Sequence, residues 1–484
     1  MGDYITIQWG SSPPATTEAP ENNCAVLGRD PLTGDDKYIK ITSAEDAWDA
    51  GVSEDSDLGR FISSFYSQDG VGACELTIIP FNDTQFSGET KEKVACTGTA
   101  GTWYVSAQPC HTIYDVQVDF GDGSGFVTQT LDTHYTLETI GSEKTGKITF
   151  TENGPVNSNN EIVISGEVPP GGRVRASYTT TGFQQALELL NEDDIDVSFV
   201  GFAYDTEDPL SFSTGNASGL FADFKALKTH CNAAVNNNKW RMGIVALPSD
   251  ARPNASATSY GGTSTWGEIR SDVGTTRNMI IVHAKPTLTN DKPDDDPAAV
   301  IMGVIAAAHP HKNLTLSPVT MGVREIESRT YQQGWKEAQV IYLMKERLDS
   351  AGAYRIAYGS TLGTNRENRI NNVRCKYLTA RILYGQLFSF LAQQTARYDF
   401  RGLDSIENCV RGTLDYIRRL GYIDDINSVS VVGKELFAKP YNSLTEAQKA
   451  TYTALKESKI VTVAVEYMWS GNIEKIVLNP VIEV

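Results

Sequence analysis

The chain has 484 residues, with 42 lysines and arginines against 60 aspartates and glutamates, a formal charge of −18. That balance argues against a general polyanion binder, whose phosphate contacts need clustered cations. With 40% apolar and 21% charged residues the chain is also not of the disordered class. The apolar run Val300 to Ala308 is far too short to span a bilayer, and the first twenty residues lack the basic and apolar regions of a secretory signal. Seven scattered cysteines suit a reducing compartment. The expectation is a soluble, cytoplasmic product of two to four domains.

The first element is a short strand, Tyr4 to Trp9, with Ile5, Ile7 and Trp9 on one face and Tyr4, Thr6 and Gln8 on the other. A Ser/Pro/Thr-rich tether follows to Asn22, so the strand has no hairpin partner nearby. Cys24 to Phe81 reads as an α/β unit: a buried strand at Ala25 to Leu27, a helix start at Ser43 and Asp46, an amphipathic helix over Leu58 to Tyr66 and a strand over Glu75 to Pro80. From Lys93 to Thr180 polar alternation takes over at Val116/Val118/Phe120, Ile148/Phe150 and Ile162/Ile164. With turns at Gly121-Asp122-Gly123 and Pro169 to Gly172, this predicts an all-β, sandwich-like insert.

The α/β rhythm resumes with helices at Gln184 to Leu190 and Leu220 to Val235. Strands are expected at Val197 to Phe202, Met242 to Leu247, Ile269 to Ser271 and Met279 to His283, and Asn290 to Pro297 reads as a loop. Beyond Gly322 the charge reverses: Arg324 to Arg419 holds sixteen basic and ten acidic residues, leaving −24 elsewhere. Helices are expected over Arg366 to Gln394 and Asp404 to Leu420, the second stopped by Gly421. A third starts at a Ser443/Glu446 capping box, and the chain closes in β segments, Val461 to Trp469 and Glu474 to Val484.

The fold class expected is α+β or α/β multidomain: open α/β core domains, an inserted all-β domain and β arms at both termini. The boundaries are 1–22 for the N-terminal arm and tether, 23–92 with 183–321 for a discontinuous α/β domain, 93–182 for an outer β insert, 322–459 for a helical or α+β domain and 460–484 for the C-terminal arm.

Motifs for chemistry are sparse. His309-Pro310-His311 has the spacing of a zinc pair, but nothing signals further ligands. Asp119 to Gly125 lacks the acidic spacing and closing glutamate of a calcium loop and reads as a hairpin turn, and Asp294-Asp295-Asp296 reads as a solvated loop. There is no phosphate-binding glycine motif and no nucleophile elbow. Cys375 lies between Arg374 and Lys376 with no histidine following it, so a half-buried helix cysteine is expected. Cys96 and Cys110 are read as free thiols, with a bridge between them only under oxidation. No catalytic residue, cofactor or metal is expected.

The termini carry the sharper signal. A lone strand on a tether exposes unpaired amides and carbonyls. It either folds back on its own sheet or is lent to a neighbour, and head-to-tail lending propagates into rings or helices.

The opening block CAVLGRDPLTGDDKYIKITSAEDAWDAGV and the following GRFISSFYSQDGVGACELTIIPF resemble the start of contractile tail sheath proteins of phage tails and related injection systems. So does INNVRCKYLTARILYGQLFSFLAQQTARYDF, through Asn372, Val373 and Arg374, as do SIENCVRGTLDYIRRLGYI and the closing IVTVAVEYMWSGNIEKIVLNPVIEV. The likeness covers roughly the first ninety and last hundred and sixty residues. YDFRGLDS departs from the family's usual Phe-Glu-Pro-Asn segment, and the β insert has no fixed counterpart.

The resemblance implies a non-enzymatic subunit forming stacked hexameric rings around an inner tail tube and contracting to drive it through a cell envelope. Its partners would be itself, the tube protein, and baseplate and tail terminator proteins, with no nucleic acid and no membrane insertion. It would reside in a virion tail assembled in the host cytoplasm, or in the cytoplasm for a cell-encoded injector. Strand exchange would fall to Tyr4, Ile5, Thr6, Ile7, Gln8, Trp9, Val461, Val463, Val465, Tyr467, Trp469, Ile476, Leu478 and Val481. Of Arg366, Arg369, Arg374, Lys376 and Arg381, several would face an acidic tube or acidic neighbours, or else they solvate a helix surface or pair with acids of their own chain. The remaining alternatives are another virion component, such as a baseplate or capsid subunit, and a hydrolase with a carbohydrate-binding β insert.

Overall fold

In a computed structural model the described residues are 22–28, 37–72, 74–80, 90–105, 110–140, 143–192, 195–207, 217–236, 239–253, 274–345, 353–393 and 397–469. The expected strands at Tyr4 to Trp9, Ile269 to Ser271 and Glu474 to Val484 lie outside them. The protein is of mixed α/β class, built on one nine-stranded sheet.

The core elements are β1 (Cys24–Gly28), β2 (Ile39–Ile41), α1 (Ala44–Asp49), α2 (Asp57–Tyr66), β3 (Leu76–Pro80), α3 (Gly182–Leu189), β4 (Phe199–Phe202), α4 (Ala217–Asn236), β5 (Met242–Ala246), β6 (Met279–His283), α5 (Pro297–Ala307), β7 (Pro318–Val319), α6 (Arg329–Glu337), β8 (Ile341–Lys345) and β9 (Tyr354–Ile356). A C-terminal group adds α7 (Ile370–Gln393), α8 (Phe400–Arg419), β10 (Ile423–Val431), α9 (Lys434–Phe437), α10 (Glu446–Ser458) and β11 (Val463–Trp469).

The sheet order is β7-β9-β8-β6-β5-β4-β1-β3-β2. The strands from β8 to β3 run parallel, and β2, β7 and β9 add antiparallel edges. Parallel strands covered on both faces read as unbroken apolar runs, as in CAVLG, MGIVA and MIIVH, all fully buried. Gly201 of β4 is small because Phe61 of α2 packs on it, a Cβ there falling 2.7 Å from the ring. Gly243 of β5 is pressed by Leu227 of α4. Gly201 is registered with Ile244 and Gly243 with Val200, so the two glycines face opposite ways. Helices therefore cover both faces of the sheet.

The run Val300 to Ala308 forms most of α5, apolar on nearly all sides and buried between the sheet and α2. Its start corrects the expectation of a solvated acidic loop. Asp296 is 3% exposed and caps the helix, accepting from the amides of Ala298 at 2.8 Å and Ala299 at 2.9 Å. Pro297 follows at the first helical turn, where its missing N–H costs nothing. Ser43 and Asp46 do form the expected capping box of α1. At α10 the box belongs to Thr445 and Gln448 instead of Ser443 and Glu446.

Residues 90–180 form an eight-stranded antiparallel sheet with its own apolar cluster, including Trp103, Val116, Val118, Ile148 and Phe150. The strands connect as one sheet, whose two halves are joined by the single pair Lys144–Cys110. Ile162 and Ile164 do not make a strand: only a single bridge, Val156 to Ile162, forms beyond the cis Gly154-Pro155 bond, and Ile162, Val163 and Ile164 are exposed. The Asp119 to Gly125 segment is the expected hairpin turn, with Gly121, Gly123 and Gly125 at positive φ and Asp119 paired with Phe126. Cys96 bonds opposite Val174 and Cys110 pairs with Thr180, six residues further along the same strand. At about 3.3 Å per residue they are roughly 20 Å apart. A disulfide needs Cα atoms within about 7 Å.

Candidate functional site

The candidate site is where the first and last described segments, at Asn22 and β11, meet the helix α7. At the C-terminal end β10 and β11 pair antiparallel, Val431 with Val463, Val429 with Val465 and Ile423 with Trp469. Along β11 the alternation is literal: Val463, Val465 and Tyr467 are half-buried, while Ala464, Glu466 and Met468 are exposed. The half-buried set packs on a cluster of Cys375, Leu378 and Leu383 from α7 and Val410, Leu414 and Ile417 from α8. Burial pushes the Tyr467 hydroxyl's pKa up. Among the described residues this sheet has two strands only. A two-stranded ribbon is marginal by itself and leaves strand edges able to accept another segment.

Of the residues expected to exchange strands, Val463, Val465, Tyr467 and Trp469 are in β11 and Val461 just precedes it. Tyr4, Ile5, Thr6, Ile7, Gln8, Trp9, Ile476, Leu478 and Val481 lie outside the described residues.

The basic residues of α7 have partners within the chain. Arg374 is 4% exposed and donates through Nη2 to the Ala308 carbonyl at 2.9 Å and to Asn22 Oδ1 at 3.3 Å. Arg381 is buried over the Trp240 ring and reaches Ser198 Oγ at 3.4 Å and Asp196 at 3.8 Å. Burial raises the Asp196 carboxyl's pKa, and Arg381 opposes that rise. Lys376 and Arg277 both donate to Glu367 Oε1 at 2.6 Å. Burial alone would raise the Glu367 carboxyl, but those hydrogen bonds and charges hold it below the usual range; Lys376 is itself lowered by burial. The Arg369 guanidinium stacks 3.8 Å from the Tyr358 ring centroid. Arg366 lies in a 3-10 turn, and its side chain is outside the described set.

Asn22 was not legible as a contact of Arg374, because the two are 352 positions apart. The His309 and His311 rings stack at 5.8 Å, and no group of three metal-binding side chains occurs among the described residues. No helix among them is long and apolar enough to cross a membrane.

The fold these elements build is similar to that of contractile sheath proteins. The anti-feeding prophage helical sheath in its contracted state is similar over 99% of this chain and 98% of its own, with a TM-score of 0.54 and 9% identity. The sheath complex of PVC, an extracellular contractile injection system, in its contracted state covers 100% and 98%, with a TM-score of 0.51 and 10% identity. A chain of the six-fold symmetrised anti-feeding prophage baseplate covers 100% and 99%, with a TM-score of 0.51 and 10% identity. At such identity the likeness is one of fold. No family model and no curated protein matches the sequence.

Proposed function

We propose that this chain is a non-enzymatic subunit of a contractile sheath. It assembles as stacked hexameric rings around an inner tube and, on contracting, drives the tube through a target envelope. The observation that carries this reading is the ribbon β10–β11: two strands, packed on helices along one face, in a chain matching sheath subunits over nearly their whole length. Tyr4 to Trp9 and Glu474 to Val484 supply the strands that complete such ribbons in adjacent copies, since main-chain pairing gives affinity whatever the side chains. Baseplate and terminator proteins would meet the ends of the stack.

Residues 93–182 form the outward decoration and 322–459 the inward domain. Of the basic residues considered for the tube, Arg366 and Arg369 stay candidates. The intrachain partners of Arg374, Lys376 and Arg381 favour a role inside the subunit.

The test is truncation. Deleting residues 1–20 or 471–484 should abolish tubular assemblies in electron micrographs and leave a folded monomer. Cutting at 461 would instead strip Val463, Val465 and Tyr467 from the cluster beneath them, so it is the wrong boundary. Tubes of normal length from either truncated chain would refute strand exchange.

A further inference from the structure

Arg374 and Cys375 are consecutive on α7, so their side chains leave the helix about 100° apart. They meet the first and the last described segments. Arg374 grips Asn22, where the described structure begins, and ties it to the Ala308 carbonyl at the end of α5. The neighbouring backbone is held too: Ser198 N–H donates to the Asn23 carbonyl at 2.8 Å, and Asn23 Nδ2 reaches Glu75 Oε1 at 3.4 Å. Two turns along the same helix, Arg381 engages Ser198 and Asp196. Cys375, also 4% exposed, lies in the cluster that receives Val463, Val465 and Tyr467 of β11.

We infer that α7 is the strut through which a pull on the N-terminal segment passes to the C-terminal segment, with Arg374 as the residue gripping the N-terminal root. This rests on the sheath reading, in which both ends are held by neighbouring copies. Without the grip, a pull at Asn22 would peel the chain from β3 and β4 one hydrogen bond at a time, beginning with the Asn23 contacts and then Cys24 N–H to Glu75 O. With it, load reaches a buried guanidinium on a continuous helix before it reaches β1. The same helix delivers the load to β11 through the Cys375 side. Arg374 is thus a positioning residue, fixing where the arm leaves the body.

The test is force spectroscopy on the full-length monomer, with handles at residues 1 and 484. At constant force the first opening should be about threefold faster in Asn22→Ala and about tenfold faster in Arg374→Met, as expected for losing one bond or a charged hydrogen-bonding group. Lys376→Met, which loses the Glu367 contact and leaves Asn22 untouched, should open at the wild-type rate. The thermal midpoint of Asn22→Ala should not move, which separates gripping from plain stability. A wild-type opening rate in Asn22→Ala, or equal acceleration in Lys376→Met, overturns the proposal. Should Arg374→Met fail to fold, Asn22→Ala alone decides. Because the measurement is made on monomers, a chain that shows the rate difference but never forms tubes sinks the sheath reading and leaves the strut standing.

Discussion

Asp296 offers a quantitative test of the core. It is 3% exposed at the start of α5, and burial lifts its pKa to about 7, against the opposing pull of the Ala298 and Ala299 amides and of Arg60. The folded state therefore keeps a proton that the unfolded chain releases near pH 4. A carboxyl whose folded pKa is raised stabilises the protein fully below its unfolded pKa, and that contribution is lost as pH climbs to about 7. At about 1.4 kcal/mol per unit, most of the loss falls between pH 4.5 and 8 and comes to roughly 3 kcal/mol. Asp296→Asn keeps an oxygen to accept the two amides and removes the charge. Urea unfolding of both proteins at pH 4.5, 6 and 8, followed by tryptophan fluorescence (Trp240 and Trp335 are buried in this core), should show similar stability at the lowest pH. At pH 8 the variant should be ahead by roughly 3 kcal/mol. A difference that stays constant with pH would refute the reasoning, because it would mean the helix amides and Arg60 keep Asp296 ionised throughout.

Two further outcomes are expected. Glu367→Gln leaves Arg277 and Lys376 without their shared carboxylate and should cost on the order of 2 kcal/mol; adding Lys376→Met should recover part of it, checked by the thermal midpoint. Since the Glu367 carboxyl is held low, wild type should also lose this contribution as pH falls through its folded pKa, and the variant should not. Under oxidation Cys96 and Cys110 should remain thiols, so peptide mapping that finds a bridge between them would contradict the strand register.

Much of the fold was legible along the chain because it rests on local signals. Met279 to His283 was bounded as observed, and the helices around α2, α4, α7 and α8 showed themselves through apolar spacing. The capping box at Ser43 is likewise local, since side chain and amide are three residues apart. The errors arose where a distant partner decides. Asp296 looked solvated beside two other aspartates, but Ser64, 232 positions away, accepts from its amide and helps fix it under the sheet. Ile162 to Ile164 alternated like a strand yet found no neighbour to pair with beyond one bridge.

The alternation of helices and strands, the polar texture of residues 93–182 and the apolar face of Val461 to Tyr467 are written in the chain, since each follows from periodicity within a dozen residues. Tertiary structure alone supplied the intrachain partners of Arg374, Lys376 and Arg381. Whether Arg374 meets solvent, a tube or Asn22 depends on which surfaces folding brings within 3.3 Å, and helical spacing carries no such information.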